Sequence, residues 1–152
     1  MSDINRRLAA EAGKLTDPKI TYGETHFSVR KMSAWDGFHV LEELRAGIAE
    51  AAAKIPHDGG MEAMIGAGIT AMPRETVRRG ADLLFGHVDF RNAQRGVAIP
   101  VAGNEDEAFD GLEPVHVYLV LARAFAVNFT QSWSEIASLL AGQGRDTKPG
   151  NT

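Results

Sequence analysis

The sequence predicts an α+β fold: a single, mostly helical domain carrying two small antiparallel β-hairpins. Three observations predict it. Residues 115–129 read VHVYLVLARAFAVNF, in which twelve of fifteen residues are apolar and only His116, Arg123 and Asn128 interrupt. A second helix is announced by Ser33-Ala34-Trp35-Asp36 followed by apolar residues at helical spacing. Two short runs, near residues 20–32 and 87–99, alternate β-branched or aromatic with polar residues on either side of a glycine-containing turn, as hairpins do.

Residues 1–18 read as an N-terminal arm, with Ile4, Leu8, Ala12 and Leu15 at helical spacing. Residues 19–142 read as one globular domain, and residues 143–152 as a flexible tail, since nothing from Gly144 onward can join a core. Inside the domain, Ile20-Thr21-Tyr22 and residues 26–32 form the first hairpin around Gly23-Glu24-Thr25, with Phe27, Val29 and Lys31 on one face. Ser33 then caps a helix whose Phe38, Val40, Leu41, Leu44 and Ile48 make the apolar face, while Glu42, Glu43, Arg45 and Glu50 look outward. Pro56 and Asp58-Gly59-Gly60 end it.

A short helix over 61–69 is weakened by Gly66 and Gly68. Pro73 opens the next helix at its first position, with Val77, Ala81 and Leu84 as its stripe and Gly86 as its stop. The second hairpin joins 87–90 to 97–99 through residues 92–96, and Pro100 marks the later strand as an edge. Asn104-Glu105-Asp106-Glu107 reads as an acidic loop, after which an Asp110 cap and Pro114 launch the apolar helix. Ser132-Trp133-Ser134-Glu135 is a full capping box for a last helix with Ile136, Ala137 and Leu140.

Composition narrows the function. At 152 residues the chain is long enough to bury about 68–70% of its unfolded surface without a disulfide or metal staple. A hydrophobic content of 44% and a charged content of 24% belong to a globular chain, not to one disordered throughout. The net charge of −4 supplies no general attraction to nucleic acid or anionic lipid. There is no cysteine, which excludes disulfides, zinc–thiolate sites and thiol nucleophiles and fits a reducing cytoplasm. The fifteen apolar-rich residues would span only about 22 Å as a helix, short of a bilayer, and Arg123 sits in their middle. That helix must therefore be covered by protein, with Val117, Leu121 and Phe125 in the core and Tyr118 or Trp133 partly exposed. No secretory h-region opens the chain.

Reactive patterns are weak. His39 and Glu42 share a helix face at a spacing of three, with Glu43 beside them, and could offer two metal ligands or a base and its orienter. His57, His87 and His116 fit no ligand spacing with them. The glycines at 59, 60, 66 and 68 precede no Gly-Lys-Ser/Thr, and no G-x-S-x-G elbow occurs. Arg74, Arg78 and Arg79, with Arg91 and Arg95, make a basic patch that reads as a solvated face in an acidic chain. No catalytic residue, cofactor or metal is assigned. Trp35, Phe38, Tyr118, Phe125, Phe129 and Trp133 recur at helical spacing and read mainly as core, while Tyr118, Phe129 and Trp133 are the candidates for partner binding.

One family shares these residues. Ile20-Thr21-Tyr22-Gly23, Phe27-Ser28-Val29-Arg30-Lys31-Met32 and the helix Trp35-Asp36-Gly37-Phe38-His39-Val40-Leu41-Glu42 resemble the N-terminal pattern of tail assembly chaperones of long-tailed bacteriophages and prophages. His87-Val88-Asp89-Phe90, Ala108-Phe109 before Leu112-Glu113-Pro114, the run 121–129 and Ser132-Trp133-Ser134 are similar to its closing helices. The resemblance spans about residues 19–141 and rests on packing and caps, not on reactive groups. It implies a non-enzymatic protein that binds the tape-measure protein, keeps its helices from aggregating and recruits tail-tube subunits, with self-association a further expectation. It also implies a place in the host cytoplasm and absence from the mature virion. The family often makes a longer form by ribosomal frameshifting. The alternatives are a minor structural protein of the tail or head–tail region and, more remotely, a small metal-dependent enzyme using His39 and Glu42.

Overall fold

Both expected hairpins are present in the computed structural model, and they join into one sheet. The structure describes residues 6–7, 10–11, 14–54 and 71–129, and only the backbone of 48–54. Ile4, Leu8 and Ala12, the segment 56–69, the Ser132 capping box with its helix, and the tail lie outside the described residues.

Strand β1 (Lys19–Tyr22) pairs antiparallel with β2 (Thr25–Val29), and Tyr22 faces Thr25 across the Gly23-Glu24 loop. Strand β3 (Val88–Asn92) pairs with β4 (Arg95–Pro100). This turn is tighter than the expected span of 92–96. The Asn92 side chain accepts from the amides of Gln94 and Arg95, each at 3.0 Å, and so closes the chain over Ala93 and Gln94. β2 also pairs antiparallel with β3, setting Phe27 opposite Phe90 and Val29 opposite Val88, and the sheet order is β1-β2-β3-β4. Those four side chains are buried on one face; Thr21, His26 and Arg91 are exposed on the other. Both outer strands are edges, and Val97 on β4 is 75% exposed.

Helix α1 (Ala34–Lys54) begins where the capping pattern places it, with the Asp36 amide donating to Ser33 Oγ at 3.1 Å. Its buried face includes the expected Val40 and Leu44, with Leu41 half-buried against the core, and departs from the expected one at Phe38, while the Ile48 side chain lies outside the described ones. Gly37, Val40, Leu44 and Gly47 point inward, and Phe38 lies outside, half exposed. Two glycines let neighbours approach where larger side chains would hold them off. The Thr76 side chain occupies the space a Cβ at Gly47 would need, and the Phe129 ring packs on Gly37.

Helix α2 (Arg74–Leu84) starts one residue after Pro73, which is the extended N-cap residue instead of the first helical one. It runs into a 3₁₀ turn at Phe85–His87. The expected acidic loop holds a single helical turn, α3 (Glu105–Ala108). Helix α4 (Pro114–Phe129) is the apolar one. Asp110 does not cap it. The Glu113 amide donates to His116 Nδ1 at 3.0 Å, so an imidazole at the third helical position does the work of a capping-box carboxylate.

All of residues 119–126 are buried, so the domain itself covers α4. Leu121 and Phe125 are core as expected, meeting Leu44, Val77, Gly80 and Leu84 of the other helices along a narrow apolar seam, whereas Val117 is only partly buried. The three polar residues of α4 explain how the remaining chain is held. Asn128 Oδ1 accepts from the Met32 amide at 2.7 Å, and its Nδ2 donates to Arg30 O at 3.3 Å. Arg123, wholly buried, donates to Lys14 O at 2.6 Å and Asp17 O at 2.7 Å, and lies 3.4 Å from Glu11. Glu11 in turn accepts from the Tyr22 hydroxyl at 2.8 Å. Leu15, inside this loop of contacts, has no exposed surface.

Two predictions follow from that cluster. Arg123→Ala leaves the Lys14 and Asp17 carbonyls and the Glu11 carboxylate without their donor, which should cost about 3–5 kcal/mol. Denaturant unfolding should show the loss and hydrogen exchange should show faster opening of residues 14–22; an unmoved midpoint would refute the role given to Arg123. Burial, reinforced by Glu11, holds the Tyr22 phenol well above its ordinary range. The unfolded chain ionises this group near pH ~10 while the folded one does not, so stability from Tyr22 is present below that pH and lost as pH rises beyond it. Tyr22→Phe should flatten the alkaline limb of the stability profile.

Candidate partner-binding surface

Because α1 buries its glycine-bearing side, its larger rings are left outside. Trp35 is 66% exposed and Phe38 50% exposed, and with Val97 they are the exposed large hydrophobic residues among the described ones. The two rings stack with centroids 5.5 Å apart and planes 18° apart. The His39 ring stands edge-on to Trp35 at 4.7 Å. One side of the helix thus carries a flat aromatic plate.

The plate is set among carboxylates. Asp36, Glu42 and Glu43 are exposed around and beyond it, and Glu42 lies seven residues after Trp35 and four after Phe38, on the same side of the helix. Arg45 pairs with Glu42 at 3.7 Å. His39 and Glu42 therefore do share an exposed helix surface, but His39 is engaged with the rings, and His87 and His116 belong to other parts of the fold. Among the described residues no group of three His, Asp or Glu is placed to hold a metal ion.

A second concave surface, a cleft of about 580 Å³, lies between the two hairpin turns and α3. Glu24, Asp106, Glu107 and Asp110 line it. Glu107 accepts a charge-assisted hydrogen bond from Arg95, which holds its carboxyl below the usual range. The cleft brings together these acids with Thr25, Asn92 and Gln94, and no histidine, lysine or arginine lines it. The basic residues of α2, Arg74, Arg78 and Arg79, do not gather Arg95, which is tied to Glu107.

Of the residues expected to bind a partner, Tyr118 is half-buried, Phe129 is 5% exposed with its ring 4.7 Å from that of Phe125, and Trp133 lies outside the described residues. Trp35 and Phe38, read as core from their spacing, are instead the exposed rings. Glu42 and Arg45, each seven residues after one of them, are the signal that marks this side of α1 as the outer one.

These features occupy the part of the chain that matches a known family. The model of the phage tail assembly chaperone protein, TAC, matches residues 23–141. The chain belongs to that family. No curated protein and no solved structure matches it. A role in phage tail assembly as a chaperone follows from the family, and the match takes in the Trp35–Phe38 plate, strands β2 to β4 and all of α4.

A paired measurement separates surface from core in this chaperone. Phe125→Ala should destabilise the fold by about 3–5 kcal/mol through lost burial and a cavity. Trp35→Ala gives up the exposed ring contacts with Phe38 and His39 and should cost about 1 kcal/mol or less. Comparable losses in the two would mean that the plate is structural.

Proposed function

We propose that this chain is a non-enzymatic chaperone that binds the tape-measure protein, keeps its apolar helices soluble and recruits tail-tube subunits in the cytoplasm of the bacterial host, then leaves the finished tail. Family membership supports the role in tail assembly. The observation that carries the client-binding part is the stacked pair Trp35 and Phe38, two large rings turned to solvent where the other aromatic side chains among the described residues are buried fully or in part. Trp and other aromatics supply the anchors of protein interfaces, and rings already in contact with each other have less freedom to lose when a partner covers them.

Recruitment of the tube subunits calls for a second surface. The polar face of the sheet, with Thr21, His26, Ser28, Asp89 and Arg91, is separate from the aromatic plate and supports simultaneous contact with a client and a subunit.

Co-expression with the tape-measure protein of the same phage tests the reading. A soluble complex should form, and Trp35→Ala combined with Phe38→Ala should weaken it by about 2 kcal/mol or more while the free chaperone stays folded. Purified tails should lack the chain. A tape-measure protein that is equally insoluble with and without it, or a stoichiometric presence of the chain in finished particles, would count against the proposal.

A further inference from the structure

We infer that the Trp35–Phe38 plate takes an amphipathic helix whose apolar stripe is flanked by lysine or arginine. The inference deepens the client-binding reading above, and rests on it only for the source of that helix. Its grounds are the length, the helical backbone and the charge of the surface.

From Trp35 to Glu43 the helix α1 rises about 12 Å, a little over two turns, so the two rings at its start and the carboxylates beyond them together extend over the length along which a partner helix presents side chains at positions i, i+3 or i+4 and i+7. The backbone there is already hydrogen-bonded within α1, so a strand-like partner would find no ladder to extend. Contact must come through side chains. The stacked rings, 66% and 50% exposed, provide the apolar part of it.

Charge then selects the partner. Asp36, Glu42 and Glu43 are exposed around the plate, and the nearby Arg45 guanidinium is paired with Glu42 at 3.7 Å. Over residues 35–45 of α1 three carboxylates stand against one cation, in a chain whose net charge is −4. A lysine or arginine beside the partner's apolar stripe meets these carboxylates favourably and can also lie over an indole face. An acidic helix meets repulsion. So does a second copy of this chain, because a two-fold contact through the same plates would bring both sets of carboxylates together. Anionic lipid is disfavoured for the same reason.

The test uses the full chain carrying Trp133→Phe, so that Trp35 is the remaining one of its two tryptophans. The probes are two synthetic helical peptides with the same leucine stripe, one flanked by lysines and the other by glutamates. The lysine peptide should bind, shift Trp35 emission to the blue and lose affinity as salt rises; the glutamate peptide should bind at least tenfold more weakly. Trp35→Ala with Phe38→Ala, followed by calorimetry, should cut lysine-peptide affinity about thirtyfold or more. Glu42→Lys with Glu43→Lys should reverse the preference between the peptides, a gain that misfolding could not produce. Equal binding of the two peptides, binding indifferent to the ring substitutions, or dimerisation through the plate would overturn the inference. Competition with the tape-measure protein separates the two readings. Lysine-peptide binding that leaves that complex untouched upholds the inference and removes the tape-measure protein from this surface. A tape-measure complex that forms while the lysine peptide fails to bind overturns the inference and leaves the chaperone reading standing.

Discussion

A single guanidinium organises the base of this domain. Arg123 sits in the middle of the most apolar helix, with no solvent to hydrate it, and a charge there is tolerable only if its donors are used. The chain ahead of β1 uses them. Lys14 and Asp17 present carbonyls and Glu11 a carboxylate, and the same carboxylate receives the Tyr22 hydroxyl from the end of β1. Helix, first strand and N-terminal segment are thereby tied through one buried charge, and Leu15 is drawn into the core between them. Among the described residues the Arg123 Nε has no acceptor, which leaves this joint less than fully satisfied.

Asn128 and His116 repeat the device at the two ends of α4. Asn128 takes the Met32 amide and gives its own hydrogen to Arg30, fixing the chain between β2 and α1. His116 closes the first turn of its own helix and lays its ring 4.7 Å from that of Tyr22. Each polar interruption of the apolar run thus holds a different connection, while the apolar residues between them fill the space under the sheet and against α1 and α2. The arrangement decides where α1 rests, and so which of its sides remains open.

Local signals were legible in the sequence and long-range ones were not. Ser33 marked the start of α1 because a cap and its target amide are three residues apart. The strands of each hairpin were legible from alternation and turn residues. Pairing of β2 with β3 was not, since their alternation of Phe27, Val29, Val88 and Phe90 says that each strand has a buried face without naming a neighbour. The buried side of α1 was misread at Trp35 and Phe38 for a related reason. Large rings score as core in a helical pattern, yet close approach of Thr76 at Gly47 and of Phe129 at Gly37 decides the packing, and a glycine carries no apolar signal. The cap of α4 was placed on Asp110 because imidazole is an unusual substitute for a carboxylate at the third helical position. The aromatic plate was therefore hidden by the same packing error, although Glu42 and Arg45 stood on its side of the helix.

The edge strand β4 has its own consequence. It ends the sheet with Val97 turned to solvent, a surface on which another extended chain could add itself. Arg95 at one end keeps a charge there, and Pro100 at the other has no amide hydrogen to offer. Between them only Gly96, Val97, Ala98 and Ile99, about 13 Å of a six-residue strand, carry neither a charge nor a proline. Growth of a fibre from this rim would begin on a template too short to hold it. A chaperone of phage tail assembly thus carries on its open strand features that keep it from seeding fibres of its own.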